Sequence, residues 1–146
     1  MAIVISLMLY NAEVWTPKKQ DIKALEAAHF RMLRSMMNVR KEERVKMKEM
    51  LQTFELPTIE HYITQKRMRW VGHALRRDDW DRSKKAVIET LKIEASPWTK
   101  LVRKDCKRLK IRWKRLIPLA PNRFGFSKFS WAHLQFLKKA TMDGIH

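Results

Sequence analysis

Residues 98–117 read WTKLVRKDCKRLKIRWKRLI and carry the clearest helical pattern in the chain. On a 3.6-residue period the apolar residues of this stretch share one face. They are Trp98, Leu101, Val102, Cys106, Leu109, Trp113 and Leu116. The other face carries Lys100, Arg103, Lys104, Lys107, Arg108, Lys110, Lys114 and Arg115, with Asp105 as its only acid. Because proline cannot continue the backbone hydrogen-bond ladder, the pattern predicts a single helix that ends at Pro118.

A helix of this kind buries its apolar face and offers its cationic face to something anionic. Three interpretations fit the pattern alone: a surface that faces nucleic acid, a basic face that is only solvated, and a membrane-surface or calmodulin-type segment. The distribution of charge favours the first. The net charge is +17, yet residues 1–60 carry 10 basic against 8 acidic residues, whereas residues 61–146 carry 22 against 7. The second half is therefore predicted to meet an anionic partner, and phosphate backbones are the commonest one.

The composition predicts an all-α fold. The chain has 146 residues, 45% of them hydrophobic, and contains only 3 glycines and 5 prolines. This length suits one domain or two small subdomains. We expect a small helical bundle over residues 1–57, a basic helical region over 58–117, and a poorly defined tail over 118–146 with one candidate helix. The apolar start is expected to be core, because it is too short to span a bilayer and lacks the basic region of a signal peptide.

Periodicity and capping residues place the other elements. Residues 3–15 form an apolar run that fits a strand or a buried helix equally well. Thr16 and Pro17 predict a helix start, and Asn38 predicts the end of that helix. Its apolar stripe consists of Ile22, Leu25, His29, Met32, Leu33 and Met36. Further helices are predicted over residues 43–54 and 59–77, an element of uncertain type over 83–93, and a last helix, capped by Ser127 or Ser130, through residue 139.

Side chains that interrupt these patterns have simple structural interpretations. Lys66 and Arg67 interrupt the apolar face of residues 59–77, and we expect their stems to lie along apolar surface with the charges reaching outward. His29 lies on an apolar stripe and is expected to be packed and hydrogen-bonded. Cys106 is expected to be a small core residue rather than a reactive thiol, and a single cysteine cannot form an intramolecular disulfide.

Residue patterns typical of catalysis are missing from the sequence. The glycines are isolated, so no glycine-rich phosphate loop exists. The five histidines lack the mutual spacing and the cysteine partners of a zinc site. Asp78, Asp79 and Asp81 are interpreted as surface ion pairs with neighbouring arginines rather than as a magnesium site. We therefore expect no catalytic residue, no cofactor, no metal and no small-molecule substrate.

An ordered series of motifs resembles a known family. Residues 10–40 read YNAEVWTPKKQDIKALEAAHFRMLRSMMNVR, and residues 67–76 read RMRWVGHALR. Together with Glu43-Arg44-Val45, Leu56-Pro57 and the segment from Trp98 to Ile111, they resemble the part that follows the catalytic palm in reverse transcriptases of LINE-type, non-LTR retrotransposons. The resemblance covers about residues 8–111. It departs from the family pattern at Asn11, where glycine is usual, in the reduced basic stretch at Ala95-Ser96-Pro97, and in the tail after Pro118.

The resemblance implies thumb-like helices followed by a basic region that holds the template and primer. The tyrosine-x-Asp-Asp motif of the polymerase is missing from this sequence, and the palm would lie upstream. We therefore predict a non-catalytic fragment that binds RNA or DNA through phosphates with little sequence preference. Besides the basic residues of the stretch 98–117 given above, Arg69 and Arg76 are predicted phosphate contacts. Trp15, Trp70, His73 and Trp98 are predicted structural residues, with Trp70 in the core and His73 hydrogen-bonded nearby.

Other functions stay open from the sequence. The chain fits a protein-interaction module, a partner for a separately encoded palm, or a non-functional retroelement remnant. Charge and resemblance suggest an intracellular, nuclear location, and no membrane partner is expected. The oligomeric state is not predicted.

Overall fold

The computed structural model describes residues 2–40, 42–123 and 126, and these residues are helical with no strand among them. The α-helices are α1 (Ala2–Met8), α2 (Lys19–Met36), α3 (Met47–Thr53), α4 (Ile59–Leu75), α5 (Arg82–Lys92), α6 (Pro97–Arg108) and α7 (Leu116–Leu119). A 3-10 helix, Trp113–Arg115, precedes α7. The all-α prediction is confirmed. The predicted helix between Ser127 or Ser130 and residue 139 lies outside the described residues.

Two compact units divide the chain. The first comprises residues 1–16 and 63–133, and the second comprises residues 17–62 and 134–146. The boundary at residues 62 and 63 falls inside α4. The three-part division predicted from the sequence follows composition rather than contacts, and it stays a prediction.

The first unit is built on a hydrophobic core supplied by α4, α5, α6 and the segment after α6. The buried members include Met68, Val71, Leu75, Val87, Leu91, Val102, Cys106, Leu109 and Leu116. Helix α4 confirms the helix predicted over residues 59–77, although it ends two residues early at Leu75. The element of uncertain type predicted over residues 83–93 is a helix, α5. Its start is fixed by Asp81, whose carboxylate accepts hydrogen bonds from the backbone N–H groups of Ser83 at 2.7 Å and Lys84 at 3.4 Å.

Gly72 is required where α4 meets Phe126. A methyl group built on Gly72 would clash with the Phe126 ring, which is 5% exposed. Glycine normally weakens a helix interior, so its presence here reflects the close approach of an aromatic ring. This contact gives a packing reason for the glycine inside the RMRWVGHALR motif.

The N-terminal run forms α1 and a series of turns, which decides between the helix and the strand left open above. It is only partly core. Ile5 and Leu9 are buried, but Val4 and Leu7 are exposed. The apolar composition predicted burial of the whole run, whereas a single short helix can bury only one of its faces.

The second unit contains α2 and α3, which contact each other. Helix α2 begins at Lys19 rather than at Thr16, because Asp21 accepts a hydrogen bond from the Lys18 backbone N–H at 2.7 Å and caps the helix there. Its predicted stripe buries His29 and Leu33 fully, while Met36 is exposed. Helix α3 is shorter than predicted, since residues 43–46 precede it in a non-helical turn.

Three helices end in the same hydrogen-bonded geometry. In each, a backbone N–H donates to the backbone carbonyl five residues earlier: Val39 to Arg34 at 3.0 Å, Leu56 to Leu51 at 2.8 Å, and Ile111 to Cys106 at 2.8 Å. In each case the preceding residue has a positive φ: Asn38 at 52°, Glu55 at 50° and Lys110 at 57°. This is the Schellman motif, in which a left-handed residue lets the chain reverse and an apolar residue follows. The predicted stop at Asn38 is confirmed.

The predicted single helix over residues 98–117 is wrong. Helix α6 ends at Arg108, and the chain turns at Lys110 before the 3-10 helix begins. Pro118 lies inside α7 instead of ending the long helix. The reversal allows Ile111 and Leu116 to enter the same core as Val102, which a straight helix would not bring them to. The apolar period of the sequence continues past the end of α6 because the segment after the turn also directs apolar residues into the core.

Candidate nucleic-acid interface

The exposed side of α6 consists of lysines. Lys100, Lys104 and Lys107 are exposed and lie at spacings of three and four residues, so they share one face of the helix. Lys110 follows at the turn, and Lys114 and Arg115 lie exposed on the 3-10 helix. We call these six residues the basic face.

The acid of α6 does not lie on that face. Asp105 is 1% exposed, and its carboxylate accepts hydrogen bonds from Arg67 Nη1 at 2.5 Å and Thr64 Oγ1 at 2.9 Å. The sequence analysis placed Asp105 among the cations, although at roughly 100° per residue it lies between Leu101 and Leu109 on the apolar face of the helix. The structure turns it inward, so no carboxylate of α6 offsets the lysines outside.

Arg67 is the ion-pair partner of Asp105, and the sequence analysis wrongly expected its charge at the surface. Its side chain is 3% exposed and forms a buried ion pair with Asp105, so its charge does not reach outward as expected. A guanidinium with three methylenes can be solvated at a surface, but here a carboxylate on a helix 38 residues away supplies the compensation. Lys66 differs from Arg67, because the Lys66 side chain is only partly buried. Its Nζ donates to the Leu9 carbonyl at 2.9 Å.

Burial sets the titration of the residues inside α6. Desolvation raises the pKa of Asp105, against the opposing effects of the Arg67 charge and the Thr64 hydrogen bond. Burial, with the neighbouring Asp105 charge, raises the pKa of the Cys106 thiol to about 12. A thiol that stays protonated at neutral pH is a poor nucleophile, and Cys106 is also buried, as predicted.

Three of the predicted phosphate contacts have structural partners within the first unit. Arg76 Nη1 donates to the Ala120 carbonyl at 3.2 Å and its guanidinium lies 5.9 Å from the Phe126 ring centre. Arg103 pairs with Glu94 at 2.5 Å and stacks over the Trp113 ring at 4.7 Å. Arg108 Nη1 donates to Thr64 Oγ1 at 3.3 Å. These arginines hold the fold together around the lysines.

Arg69 is exposed but lies on a different side. Thr64, Arg67 and Trp70 of α4 contact residues of α6. At roughly 100° per residue, Arg69 points away from that contact side of α4. The structure therefore groups the lysines of α6 with those of the following turn, but it does not bring Arg69 and Arg76 onto the basic face.

Trp98 joins the segments that carry the family resemblance. Its Nε1 donates to the Glu13 carbonyl at 3.0 Å, and its ring meets Trp70 edge-to-face with centroids 5.8 Å apart. Trp70 is half-buried beside the core, and Trp98 is buried. Trp15 is half-buried, whereas His73 is exposed.

The aspartates after α4 and the histidine of α2 are two further polar features that the sequence analysis interpreted. Asp81 pairs with Arg77 at 2.9 Å, which confirms a surface ion pair with a neighbouring arginine. Asp79 also forms a surface ion pair, but its partner is Lys84, at 2.5 Å, rather than an arginine. The hydrogen bond from Arg77 lowers the pKa of Asp81 to about 2. His29 is fully buried as predicted, but neither ring nitrogen hydrogen-bonds to a described residue, so the expected hydrogen bond is wrong. Burial lowers the pKa of His29.

Within residues 2–40, 42–123 and 126, no three histidine, cysteine or acidic side chains group as metal ligands. No helix in that part of the chain is long and apolar enough to cross a membrane.

The chain matches no protein-family model, no curated protein and no solved structure. The resemblance to retrotransposon reverse transcriptases therefore stays a prediction from sequence motifs.

Proposed function

We propose that this chain binds RNA or DNA through phosphate contacts along the basic face, with little sequence preference and without catalysing a reaction. The observation that carries the proposal is the orientation of α6. Its three lysines point outward together, while its one acid is buried against Arg67. Like charges at spacings of three and four residues repel one another, and a polyanion relieves that repulsion by displacing its own counterions.

The resemblance supports the same role. A thumb-like and post-thumb segment of a reverse transcriptase would grip a template and primer through their backbones. The hydrogen bond and ring contact of Trp98 bring together three of the five segments that carry the resemblance, those that contain Glu13, Trp70 and Trp98. Lysines on a rigid helix can follow phosphates without reading base edges, which gives affinity with low specificity.

A salt titration with matched variants tests the proposal. We expect Lys100→Gln/Lys104→Gln/Lys107→Gln to weaken binding of single-stranded RNA, RNA–DNA hybrid and duplex DNA. The control is Lys19→Gln/Lys23→Gln/Arg31→Gln, which removes the same charge from exposed positions of α2. If each α6 lysine contacts one phosphate, the slope of log K against log salt becomes less negative by about 2–3 in the α6 variant.

The control separates a binding site from general charge. Equal weakening in both variants would mean that net charge alone attracts nucleic acid, and it would contradict the assigned surface. A complex with a protein that survives nuclease treatment, in a chain that binds no nucleic acid, would favour the interaction-module alternative.

A further inference from the structure

A groove opens beside the basic face in the first unit. It has a volume of about 400 Å³ and is bounded by α5, α6 and the segment from the 3-10 helix onward. Ile88, Leu91 and Leu116 make its apolar lining, while Lys92, Arg103 and Lys114 supply cations. This volume is in the range of sites that hold small organic groups.

Trp113 and Arg103 form a stacking platform in the groove. The Arg103 guanidinium lies 4.7 Å from the centre of the Trp113 ring, and Glu94 holds it there through an ion pair at 2.5 Å. Trp113 is only partly buried. Aromatic rings and arginine planes are the surfaces on which unpaired bases stack in single-stranded nucleic acids.

The platform adjoins the path of the proposed phosphate contacts. Arg103 lies three residues after Lys100 and four before Lys107, so it is a neighbour of both on α6. Lys114 belongs to the basic face and also lines the groove. A backbone that follows the basic face therefore passes the mouth of an apolar groove with cations at its edge.

We propose that the groove receives an unpaired nucleobase of single-stranded RNA or DNA, stacked against the Trp113–Arg103 platform, with its flanking phosphate near Lys114. The inference rests on the proposed function and adds a preference for single strands over duplexes. The charges match this occupant, since Glu94, the one acid in the lining, is already paired with Arg103. Stacking works with any base, so the preference needs no sequence recognition.

The decisive experiment compares the binding of two oligomers that have the same phosphates, one with bases and one without. The probes are an oligothymidylate of about 12 nucleotides and an abasic oligomer of the same length with tetrahydrofuran units. The full chain should bind the base-containing oligomer about tenfold more tightly, and the duplex of the same length less tightly than the single strand. Trp113→Leu should remove most of that tenfold ratio, and Trp113→Phe, which keeps a ring, should retain most of it.

The α6 variant Lys100→Gln/Lys104→Gln/Lys107→Gln provides the complementary control. It should weaken both oligomers and leave their ratio unchanged, because it removes charge but not the platform. Tight and equal binding of both oligomers would overturn the groove inference and leave the proposed function standing. Binding of neither oligomer would overturn the proposed function itself.

A crosslink on the unaltered chain tests the location without any substitution. Oligothymidylate carrying 5-iodouracil should, on irradiation, attach to the peptide that contains Trp113. Attachment at exposed aromatic residues elsewhere, such as Trp80, with none at Trp113 would overturn the inference even if Trp113→Leu fails to fold.

Discussion

Helices α2 and α6 follow the same sequence rules but bury different polar groups. Each is amphipathic, each ends in a Schellman motif, and each places one histidine or carboxylate side chain at 1% exposure or less. In α6 that side chain is Asp105, which is hydrogen-bonded to Thr64 and Arg67 on α4. In α2 it is His29, which has no hydrogen-bond partner among the described residues.

The outward faces of the two helices also differ. Exposed Lys19 and Lys23 on α2 stand beside exposed Asp21, whereas no exposed residue of α6 is acidic. Asp105 lies inside with the buried apolar residues of α6 and is compensated there by Arg67, so the exposed charged residues of this helix are all cations. The difference teaches that a buried carboxylate in a packed helix has a charged partner, whereas the buried imidazole of His29 has no hydrogen-bond partner among the described residues.

Breaking the buried pair should have the largest effect on this comparison. Asp105→Ala leaves the Arg67 charge buried and unpaired, so we expect the free energy of unfolding to fall by about 3–5 kcal/mol in urea denaturation. The double variant Arg67→Met/Asp105→Leu removes both charges and should recover most of the loss. If Asp105→Ala costs less than about 1 kcal/mol, the pair does not make the contribution expected of a buried ion pair.

Removing the unpaired group of α2 should act in the opposite direction. His29→Leu eliminates two buried nitrogens that have no hydrogen-bond partner among the described residues, and we expect a gain of about 1–2 kcal/mol at neutral pH. The histidine pKa is lowered in the fold, so below its unfolded value near 6.5 the unfolded chain binds more protons and the native protein loses stability. The advantage of His29→Leu should therefore grow as pH falls from 7 to 5. A constant difference across that range, measured by urea denaturation, would contradict a neutral buried His29.

The shared helix ends offer a finer comparison. Lys110→Gly relieves a left-handed backbone conformation that lysine adopts poorly, and we expect a gain of about 0.5–1 kcal/mol. Asn38→Gly at the same position of α2 should gain less, because asparagine tolerates positive φ. Thermal melts of the two single variants measure both effects. An equal gain at the two sites would show that residue type at this position matters little.

The smallest expected effect concerns the lysines themselves. Lys100→Gln/Lys104→Gln/Lys107→Gln should stabilise the free chain by about 0.5 kcal/mol at low salt, since it removes repulsion between neighbouring positions. The gain should fade as salt rises, because salt screens exposed charges. Denaturation at two salt concentrations makes the comparison.

Residue spacing predicted helix ends and buried positions correctly where these depend on residues close in sequence. The apolar period placed α4 within two residues of its end, the left-handed tolerance of Asn38 marked the end of α2, and Cys106 was placed in the core. Clustering of charge in the second half also predicted a basic helix. These features depend on neighbours in sequence, so they can be seen without a fold.

The sequence by itself thus determined the helical class, the apolar faces and the one-sided charge of α6. Only the tertiary structure decided that α6 ends at Arg108, because burying Ile111 and Leu116 in a shared core requires the reversal at Lys110, where no glycine marks the turn. It also decided which group compensates the inward-facing Asp105, because the arginine that pairs with it lies on another helix. Local periodicity places Asp105 on the apolar side of α6 but carries no information about a partner 38 residues away.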